Sequence, residues 1–442
     1  MTSFERFENR LPAMLDELAV PRLPDYADEL FARTAATRQR PGWTFPERWF
    51  PMSTLTQRLA AAPRIPWRLG VLVALLAVAA LIAVLVSGSF FTPVPAPYGP
   101  AGNGQVVFVD NTGRVVLGDP TTNSTRIVAD VTGATSPLFS RDGRRIAFLR
   151  RPTDLDNKLD LMVADADRTR LLQLSEAPIP APIYMGWSPN GDRLVVLEYA
   201  GLLLYDTTKT AAPTDLSMQL GVRVVGVGPG YNFGSTSVFR AKDEEIVFVG
   251  GENSLTLMAA GLDGSGLRTL LDPANSPVAY SSIRGAEWSP DGSQLTVLLE
   301  FPDHPTQSHV FLLNADGSGL RALSNLSTDP QGDQNGAAWS PDGTRIAFQY
   351  WIRHVADADE DFKAIGVVDV ATGRQHDVGP VNTNGAFWEW SPDGQSILEV
   401  GSENPGKVLI IDATTGLWES APWTTIDSTT VNQSTNWQRV AR

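Results

Sequence analysis

The chain has 442 residues, of which 43% are hydrophobic, and it carries a net charge of −14 at neutral pH. This length allows more than one domain, and the apolar fraction is ordinary for a globular protein. The sequence has no cysteine, which excludes disulfides, zinc–thiolate sites and cysteine nucleophiles. The negative charge argues against nucleic acid as a partner, because phosphate binding relies on a surplus of basic residues.

The first 66 residues have the spacing of short amphipathic helices. Apolar side chains recur at helical intervals between Phe4 and Leu18, and a second helix is expected from Pro24 to about Arg40. We interpret residues 1–66 as a cytoplasmic helical tail. Its aromatic residues either touch the membrane surface or dock onto a cytoplasmic regulator.

Residues 67–91 contain an uncharged aliphatic run, Leu69 to Val86. A helix of this length, flanked by interfacial Trp67 and Phe91, crosses about 30 Å of hydrocarbon. Arginines are frequent before the run, whereas no Lys or Arg follows it until Arg114. The positive-inside rule therefore predicts a bacterial single-pass membrane protein with a cytoplasmic N-terminus and an extracytoplasmic C-terminal domain.

Residues 105–442 are organised by a repeat of about 50 residues. Its clearest copy is Trp339-Ser-Pro-Asp-Gly-Thr-Arg-Ile-Ala-Phe348. Related segments begin at four other positions: Phe139, Trp187, Trp288 and Trp390. A hidden copy, Phe239 to Phe248, lies between the second and third of these and has Asp243 at the position of the turn glycine.

One repeat predicts four short antiparallel strands: Gly336–Trp339, Arg345–Tyr350, Ala364–Val370 and Arg374–Val378. The Ser-Pro-Asp-Gly segment suits a tight turn, because Pro presets one φ and Gly accepts a positive φ. Four strands per period are typical of a β-propeller blade. The first blade lacks its first strand, which the segment around Trp437 can supply. The sequence thus predicts an all-β, seven-bladed propeller closed by its C-terminal strand, with six blades as the alternative.

The Trp-Ser-Pro-Asp-Gly-x-x-Ile-Ala-Phe pattern resembles the repeats of TolB-like propellers and of WD-repeat-like propellers attached to bacterial membrane proteins. That resemblance covers residues 105–442 and implies a propeller fold used for binding. The order of tail, single span and exported domain resembles that of transmembrane anti-sigma factors. The tail has no His or Cys, so the zinc-binding pattern common in those regulators is absent.

Residues 92–104 are rich in Pro and Gly, which predicts an extended linker. The linker enters the propeller at the end that carries the Ser-Pro-Asp-Gly turns, and we expect this face to lie nearer the membrane. The opposite face carries the connections between second and third strands. Acidic and histidine residues in these connections are the candidate binding residues: Asp154, Asp156, Asp160, Asp303 and His304.

Asp357, Asp359 and Asp361 alternate as in a calcium loop, since hard cations prefer several oxygen ligands. Phe362 and Val368 stand where an EF-hand has Gly and Glu, which favours a solvated acidic loop. The same two interpretations apply to the other acidic loop: Asp154, Asp156, Asn157 and Asp160. No other cofactor is predicted.

The four histidines are interpreted as surface residues: His304, His309, His354 and His376. The alternative is a metal site across adjacent blades, because His304 and His309 share one loop and His354 lies in the loop region of the next blade. No Gly-x-Ser-x-Gly nucleophile motif occurs. The recurring tryptophans are predicted to lie in the core between blades: Trp187, Trp288, Trp339, Trp390 and Trp437.

Three functional hypotheses follow. The first is a non-enzymatic membrane protein whose exported propeller binds a protein, peptide or glycan and whose tail signals. The second is a propeller enzyme, such as a lactonase or hydrolase, with Glu287 and Glu389 in the central channel. A channel lined by apolar residues and glycine would contradict this second hypothesis. The third is a membrane-held scaffold with an inert tail.

Overall fold

The computed structural model describes part of the chain: residues 96, 98–152, 158–199, 201–228, 238–241, 244–251, 255–323, 334–352, 362–379, 387–400, 408–421 and 435–442. All of them belong to the unit Thr92–Arg442. The predicted tail (1–66) and span (67–91) lie outside the described residues. Within the described ranges, no helix is long and apolar enough to cross a membrane.

Seven antiparallel sheets form the blades. Blade 1 contains β1 (Gly102–Val109), β2 (Val115–Asp119) and β3 (Ser124–Ala129). Blade 2 contains β4 (Ala134–Phe139), β5 (Arg145–Arg150), β6 (Lys158–Asp165) and β7 (Leu171–Gln173), with β8 (Ile179–Pro180) paired to β6. Blade 3 contains β9 (Tyr184–Trp187), β10 (Arg193–Glu198), β11 (Gly201–Asp206) and β12 (Thr214–Asp215), followed by the helix α1 (Leu216–Leu220).

The remaining blades repeat the same order of strands. Blade 4 contains β13 (Val224–Gly226), β14 (Glu245–Gly250), β15 (Thr256–Gly261) and β16 (Arg268–Leu271). Blade 5 contains β17 (Ser282–Trp288), β18 (Gln294–Phe301), β19 (His304–Asn314) and β20 (Arg321–Ala322). Blade 6 contains β21 (Gln334–Trp339), β22 (Arg345–Ile352), β23 (Phe362–Asp369) and β24 (Gln375–Val378). Blade 7 contains β25 (Phe387–Trp390), β26 (Ser396–Val400), β27 (Val408–Asp412) and β28 (Trp418–Ser420), and the chain finishes with β29 (Asn436–Val440).

The seven-bladed prediction is confirmed, and the alternative of six blades is wrong, because the hidden copy forms a true blade. The N–H of Arg240 donates to Glu245 O at 2.8 Å, as the N–H of Ser340 does to Arg345 O in blade 6. In blade 4 a positive φ of 50° falls on Glu244. The turn therefore keeps its hydrogen bond without the Ser-Pro-Asp-Gly sequence.

The predicted ring closure is also confirmed. Strand β29 pairs with β1, with Trp437 opposite Val106 and Val440 opposite Gly102. Strand β1 begins at Gly102, within the predicted linker, and Ala101 N donates to Pro392 O of blade 7 at 2.8 Å. The end of the linker is thus part of the propeller, because its backbone groups have partners there.

The core lies between adjacent blades. Phenylalanines at one recurring position of the second strand are fully buried: Phe108, Phe148, Phe248 and Phe348. The indole N–H of Trp187 donates to Leu138 O, and that of Trp390 donates to Ala338 O, each across a blade boundary at 3.0 Å. This placement confirms the predicted inter-blade role of these tryptophans.

Each blade has two ends. The tight turns between the first two strands and between the last two lie at one end, which we call the turn face. The connections between second and third strands, and those between blades, lie at the other end, which we call the loop face. The linker enters at the turn face, as predicted, because Pro392 belongs to a Ser-Pro-Asp-Gly turn.

Candidate functional site

The innermost strands bring two acids to the turn-face end of the central channel. Glu287 is the last residue but one of β17, next to Trp288, and Glu389 occupies the same place in β25, next to Trp390. Glu287 is 2% exposed and Glu389 is 4% exposed. The structure thus brings together the two channel residues that the sequence suggests.

These acids line a cavity of about 70 Å³. Its wall is formed by inner-strand residues of blades 1, 2, 5, 6 and 7 and by the end of the linker, and includes Arg141, Asn436, Arg439 and Tyr98. The wall is therefore charged as well as aromatic, and it is not the purely apolar channel that would contradict an enzyme.

Glu389 is held by the closing strand. Its Oε2 accepts a hydrogen bond from Asn436 Nδ2 at 2.6 Å, and its Oε1 accepts one from the backbone N–H of Trp437. The amide oxygen of Asn436 in turn accepts from Phe139 N at 2.7 Å. A continuous chain of hydrogen bonds therefore connects blade 7 to blade 1 and blade 1 to blade 2.

Burial raises the pKa of Glu389 to about 8. The bonds from Asn436 and Trp437 and the positive charge of Arg141 act in the opposite direction, because they favour the ionised carboxylate. Burial also lowers the pKa of Arg439 to about 10, and the charges of Arg141 and Arg442 add to this effect. The site therefore holds one acid and one base whose charged forms are both disfavoured by burial.

The end of the linker lies over this cavity. Arg439 Nη2 donates to Ala96 O at 3.0 Å and to Gly99 O at 2.6 Å. The guanidinium of Arg141 lies 5.3 Å from the ring centroid of Tyr98, and Tyr98 lines the cavity. Two arginines thus fix the linker across the turn-face opening.

A second, more open cleft of about 330 Å³ lies beside the first, between blades 5 and 6. It also has Tyr98 in its wall, and its two acids are Asp291 and Asp342. Each of them accepts a hydrogen bond from the serine of its own turn, Ser289 at 2.6 Å and Ser340 at 2.6 Å. These carboxylates stabilise the turns, as the sequence motif predicts.

The candidate binding acids do not assemble into one site within the described residues. Asp160 is buried in β6, where Arg150 Nε donates to it at 3.0 Å and Gln173 Nε2 at 3.3 Å. Asp303 is exposed in a tight turn that His304 follows as the first residue of β19. The other candidates lie outside the described residues: Asp154, Asp156, Asn157, Asp357, Asp359 and Asp361.

Two histidines differ in their surroundings. His309 lies within β19, is 3% exposed and packs edge-on against Phe301 at 5.3 Å, so its interpretation as a surface residue is wrong. Strand β19 starts at His304, which places His309 on a strand and not in a loop. His376 is exposed, with Nε2 3.0 Å from Ala413 O, and His354 lies outside the described residues. No cluster of three His, Asp or Glu residues suited to a metal occurs in the described ranges.

Sequence reasoning missed the residues that surround the two glutamates. Asn436 and Arg439 belong to the short C-terminal segment, whose only signal was the Trp437 spacing. Tyr98 sits in a Pro/Gly-rich linker, where composition predicts extension but not docking. Arg141 replaces the proline of the turn motif, and this substitution was the one available signal.

No protein-family model matches the chain. A curated relative, dipeptidyl-peptidase 5 of Porphyromonas gingivalis, is 28% identical over 156 residues. The match covers 34% of this chain and 21% of that protein, so the chain spans about a fifth of the relative's length.

Several solved propeller structures are similar. A prolyl endopeptidase matches with a TM-score of 0.50 and 13% identity over 76% of this chain and 51% of that one. TolB from Acinetobacter baumannii matches with a TM-score of 0.41 and 14% identity, covering 77% and 81%. An oligogalacturonate lyase in complex with manganese matches with a TM-score of 0.48 and 14% identity, over 73% of this chain and 85% of that one. At such identities the likeness shows the fold alone.

Proposed function

We propose that this protein is an exported, membrane-anchored propeller that binds a protein or peptide ligand and does not catalyse a reaction. The observation that supports this most is the state of the central channel. Both oxygens of Glu389 bond to the closing strand, so this acid is committed to holding the ring together. The cavity that the two glutamates line measures about 70 Å³, below the roughly 300–1,000 Å³ of small-molecule sites. The adjoining cleft of about 330 Å³ is large enough, but its two acids are bound within their own turns.

The anchor and the tail belong to the same proposal. The aliphatic run in residues 67–91 supports a single span, and the arginines before it support a cytoplasmic N-terminus. We propose that residues 1–66 bind a cytoplasmic regulator. The loop face then points away from the membrane, because the linker joins the propeller at the turn face.

Cross-linking in membranes of the native host tests this proposal. The full-length chain and a version without residues 1–60 are cross-linked, solubilised in detergent and analysed by quantitative mass spectrometry. We expect an exported protein to be cross-linked to both versions, and a cytoplasmic regulator to be cross-linked to the full-length chain alone. The absence of any exported partner with either version would contradict the binding function.

An enzyme remains the second candidate, because Glu287 and Glu389 line one cavity together with Arg141 and Arg439. A panel of lactones, esters and glycosides tests it, with Glu287→Gln as the diagnostic variant and Glu419→Gln, an exposed acid on blade 7, as the matched control. We expect no turnover that depends on Glu287. A loss of about 100-fold in Glu287→Gln alone, as for a general acid or base, would favour the enzyme.

A further inference from the structure

Exposed apolar side chains gather at the loop-face end of blade 3. Tyr199 is 87% exposed, Met218 is 80% exposed and Ile183 is 42% exposed. Ile183 directly precedes β9, Tyr199 directly follows β10, and Met218 lies in α1. Single exposed apolar residues are ordinary on protein surfaces, whereas a group of large ones is typical of an interaction site.

Hydrogen bonds hold these three elements together. Ile183 N donates to Leu197 O at 2.7 Å, and Leu202 N donates to Ser217 Oγ, next to Met218, at 2.8 Å. Both bonds end in the hairpin formed by β10 and β11. The three apolar side chains therefore belong to one end of one blade. We call Ile183, Tyr199 and Met218 the blade 3 patch.

A buried carboxylate lies at the base of the blade 3 patch. Glu198, directly before Tyr199, is 6% exposed, and its Oε1 is buried with no hydrogen-bond partner in the described part of the chain. No ion pair reaches it there either. Burial raises the pKa of Glu198. Burial also raises the pKa of the nearby Tyr205 to about 12, and the charge of Glu198 adds to this effect.

Glu198 differs from two other buried acids of the propeller, each of which has an arginine partner. Asp160 in blade 2 is held by Arg150, and Glu300 in blade 5 by Arg284 at 2.5 Å. A buried carboxylate normally has such a partner, because its desolvation is otherwise uncompensated. Glu198 is equally buried, and no cation pairs with it among the described residues.

We propose that the blade 3 patch and Glu198 form the docking surface for a protein ligand that presents an arginine or lysine between apolar side chains. This inference rests on the proposed binding function and names the chemistry of its ligand. The cation supplies a counter-charge that Glu198 lacks in the described part of the chain, and the net charge of −14 attracts a basic partner. The apolar flanks cover Tyr199 and Met218, an aromatic anchor and an adaptable thioether.

A displayed library of random peptides tests this surface. Peptides are selected on the full-length chain in detergent, and the triple variant Glu198→Gln, Tyr199→Ser, Met218→Ser serves for counter-selection. We expect enriched peptides with Arg or Lys between apolar residues. Their affinity should fall about 30-fold for Glu198→Gln, as for one lost partner of a buried charge pair. The exposed Leu417→Ser on blade 7 is the matched control and should leave affinity unchanged.

The same measurements can overturn the inference. Enriched peptides without a basic residue, no enrichment, or equal affinity for Glu198→Gln would each contradict it, provided that thermal unfolding shows the variants to be folded. A dimer of the chain that dissociates on Glu198→Gln would also contradict it, since the occupant would be a second copy. If the triple variant still captures its exported partner in membranes, this surface is wrong and the binding function stands. If the unmodified chain captures no exported partner, the binding function itself fails.

Discussion

Interfaces between consecutive blades and the interface that closes the ring are built differently. In three of the former, an arginine of one blade lies over a tryptophan of the next, at 5.0 to 5.4 Å from the ring: Arg145–Trp187, Arg240–Trp288 and Arg345–Trp390. At the closure, the buried Glu389 bonds to Asn436 and to the backbone of Trp437. The bonds of Glu389 span 47 and 48 residues, as contacts between consecutive blades do. The pairing of β29 with β1 and the bond from Phe139 N to Asn436 join distant parts of the chain and therefore oppose a larger loop entropy.

The arginine contact recurs even where the repeat sequence changes. Arg345 occupies the start of β22, whereas Arg240 occupies the position of the turn serine in blade 4. Both nevertheless donate to the turn glycine of the next blade, Arg240 to Gly292 O at 3.0 Å and Arg345 to Gly394 O. The contact is therefore a feature of the interface and not of one sequence position.

Removal of the closing strand should have the largest effect. A chain that stops after residue 434 loses β29, exposes the edge of β1 and removes the partners of Glu389. We expect calorimetry in detergent to show one unfolding transition of the propeller for the full-length protein and none for the truncated chain. An unchanged transition would show that the ring does not depend on its closure.

Glu389→Ala should be the most destabilising single substitution at these interfaces. It leaves the amide of Asn436 and the N–H of Trp437 buried without an acceptor, which should lower the free energy of unfolding by about 3 kcal/mol. Urea unfolding followed by tryptophan fluorescence measures this. The exposed Glu419→Ala is the control, and equal losses in both variants would contradict the closure role.

Arg345→Ala should have a smaller effect, about 1 kcal/mol, because its contacts with Trp390 and Gly394 are only half-buried. Gln294 stands at the equivalent position of blade 5, and among the described residues no arginine lies over Trp339, the next tryptophan. We expect Gln294→Ala to cost less than Arg345→Ala in the same urea experiment. The reverse order would remove the basis for distinguishing these interfaces.

The dependence of stability on pH should separate the closure from the turns. The pKa of Glu389 is about 8 in the folded state and near 4.5 when unfolded. Its contribution to the free energy of unfolding is therefore full below pH 4.5 and is lost as pH rises to 8. Hydrogen bonds from Thr208 lower the pKa of Asp206 to about 2. Its contribution to stability is therefore full above its ordinary pKa of 3.8 and is lost as pH falls towards 2. Glu389→Gln should flatten the first slope and Asp206→Asn the second, as measured by thermal unfolding across pH. Unchanged slopes would contradict these assignments.

The repeat explains why the fold was predictable. Five clear copies of one turn motif, a hidden copy with the same strand pattern and one displaced tryptophan sufficed for seven blades and their closure. Turn chemistry is local, because the hydroxyl of Ser340 donates to Asp342 and accepts from the N–H of Arg345. All three residues lie within one stretch of six. Local patterns of this kind can be found in the sequence itself.

The candidate site was predictable only in part. Glu287 and Glu389 were found because they precede recurring tryptophans. The hydrogen bond between Asn436 and Glu389 joins residues 47 positions apart, and no local sequence pattern predicts it. The exposure of Tyr199 and the burial of Glu198 depend on how three elements pack, so the blade 3 patch was invisible in the sequence.

Site-specific photo-cross-linking in native-host membranes tests the central claim, that the propeller binds a protein ligand through its loop face. A photoreactive amino acid replaces Tyr199 in the full-length chain, and in a parallel chain it replaces Trp418, an exposed aromatic residue on blade 7. We predict an adduct with an exported protein at position 199, absent at position 418 and reduced by Glu198→Gln. Equal adducts at both positions, or none at 199, would contradict the account.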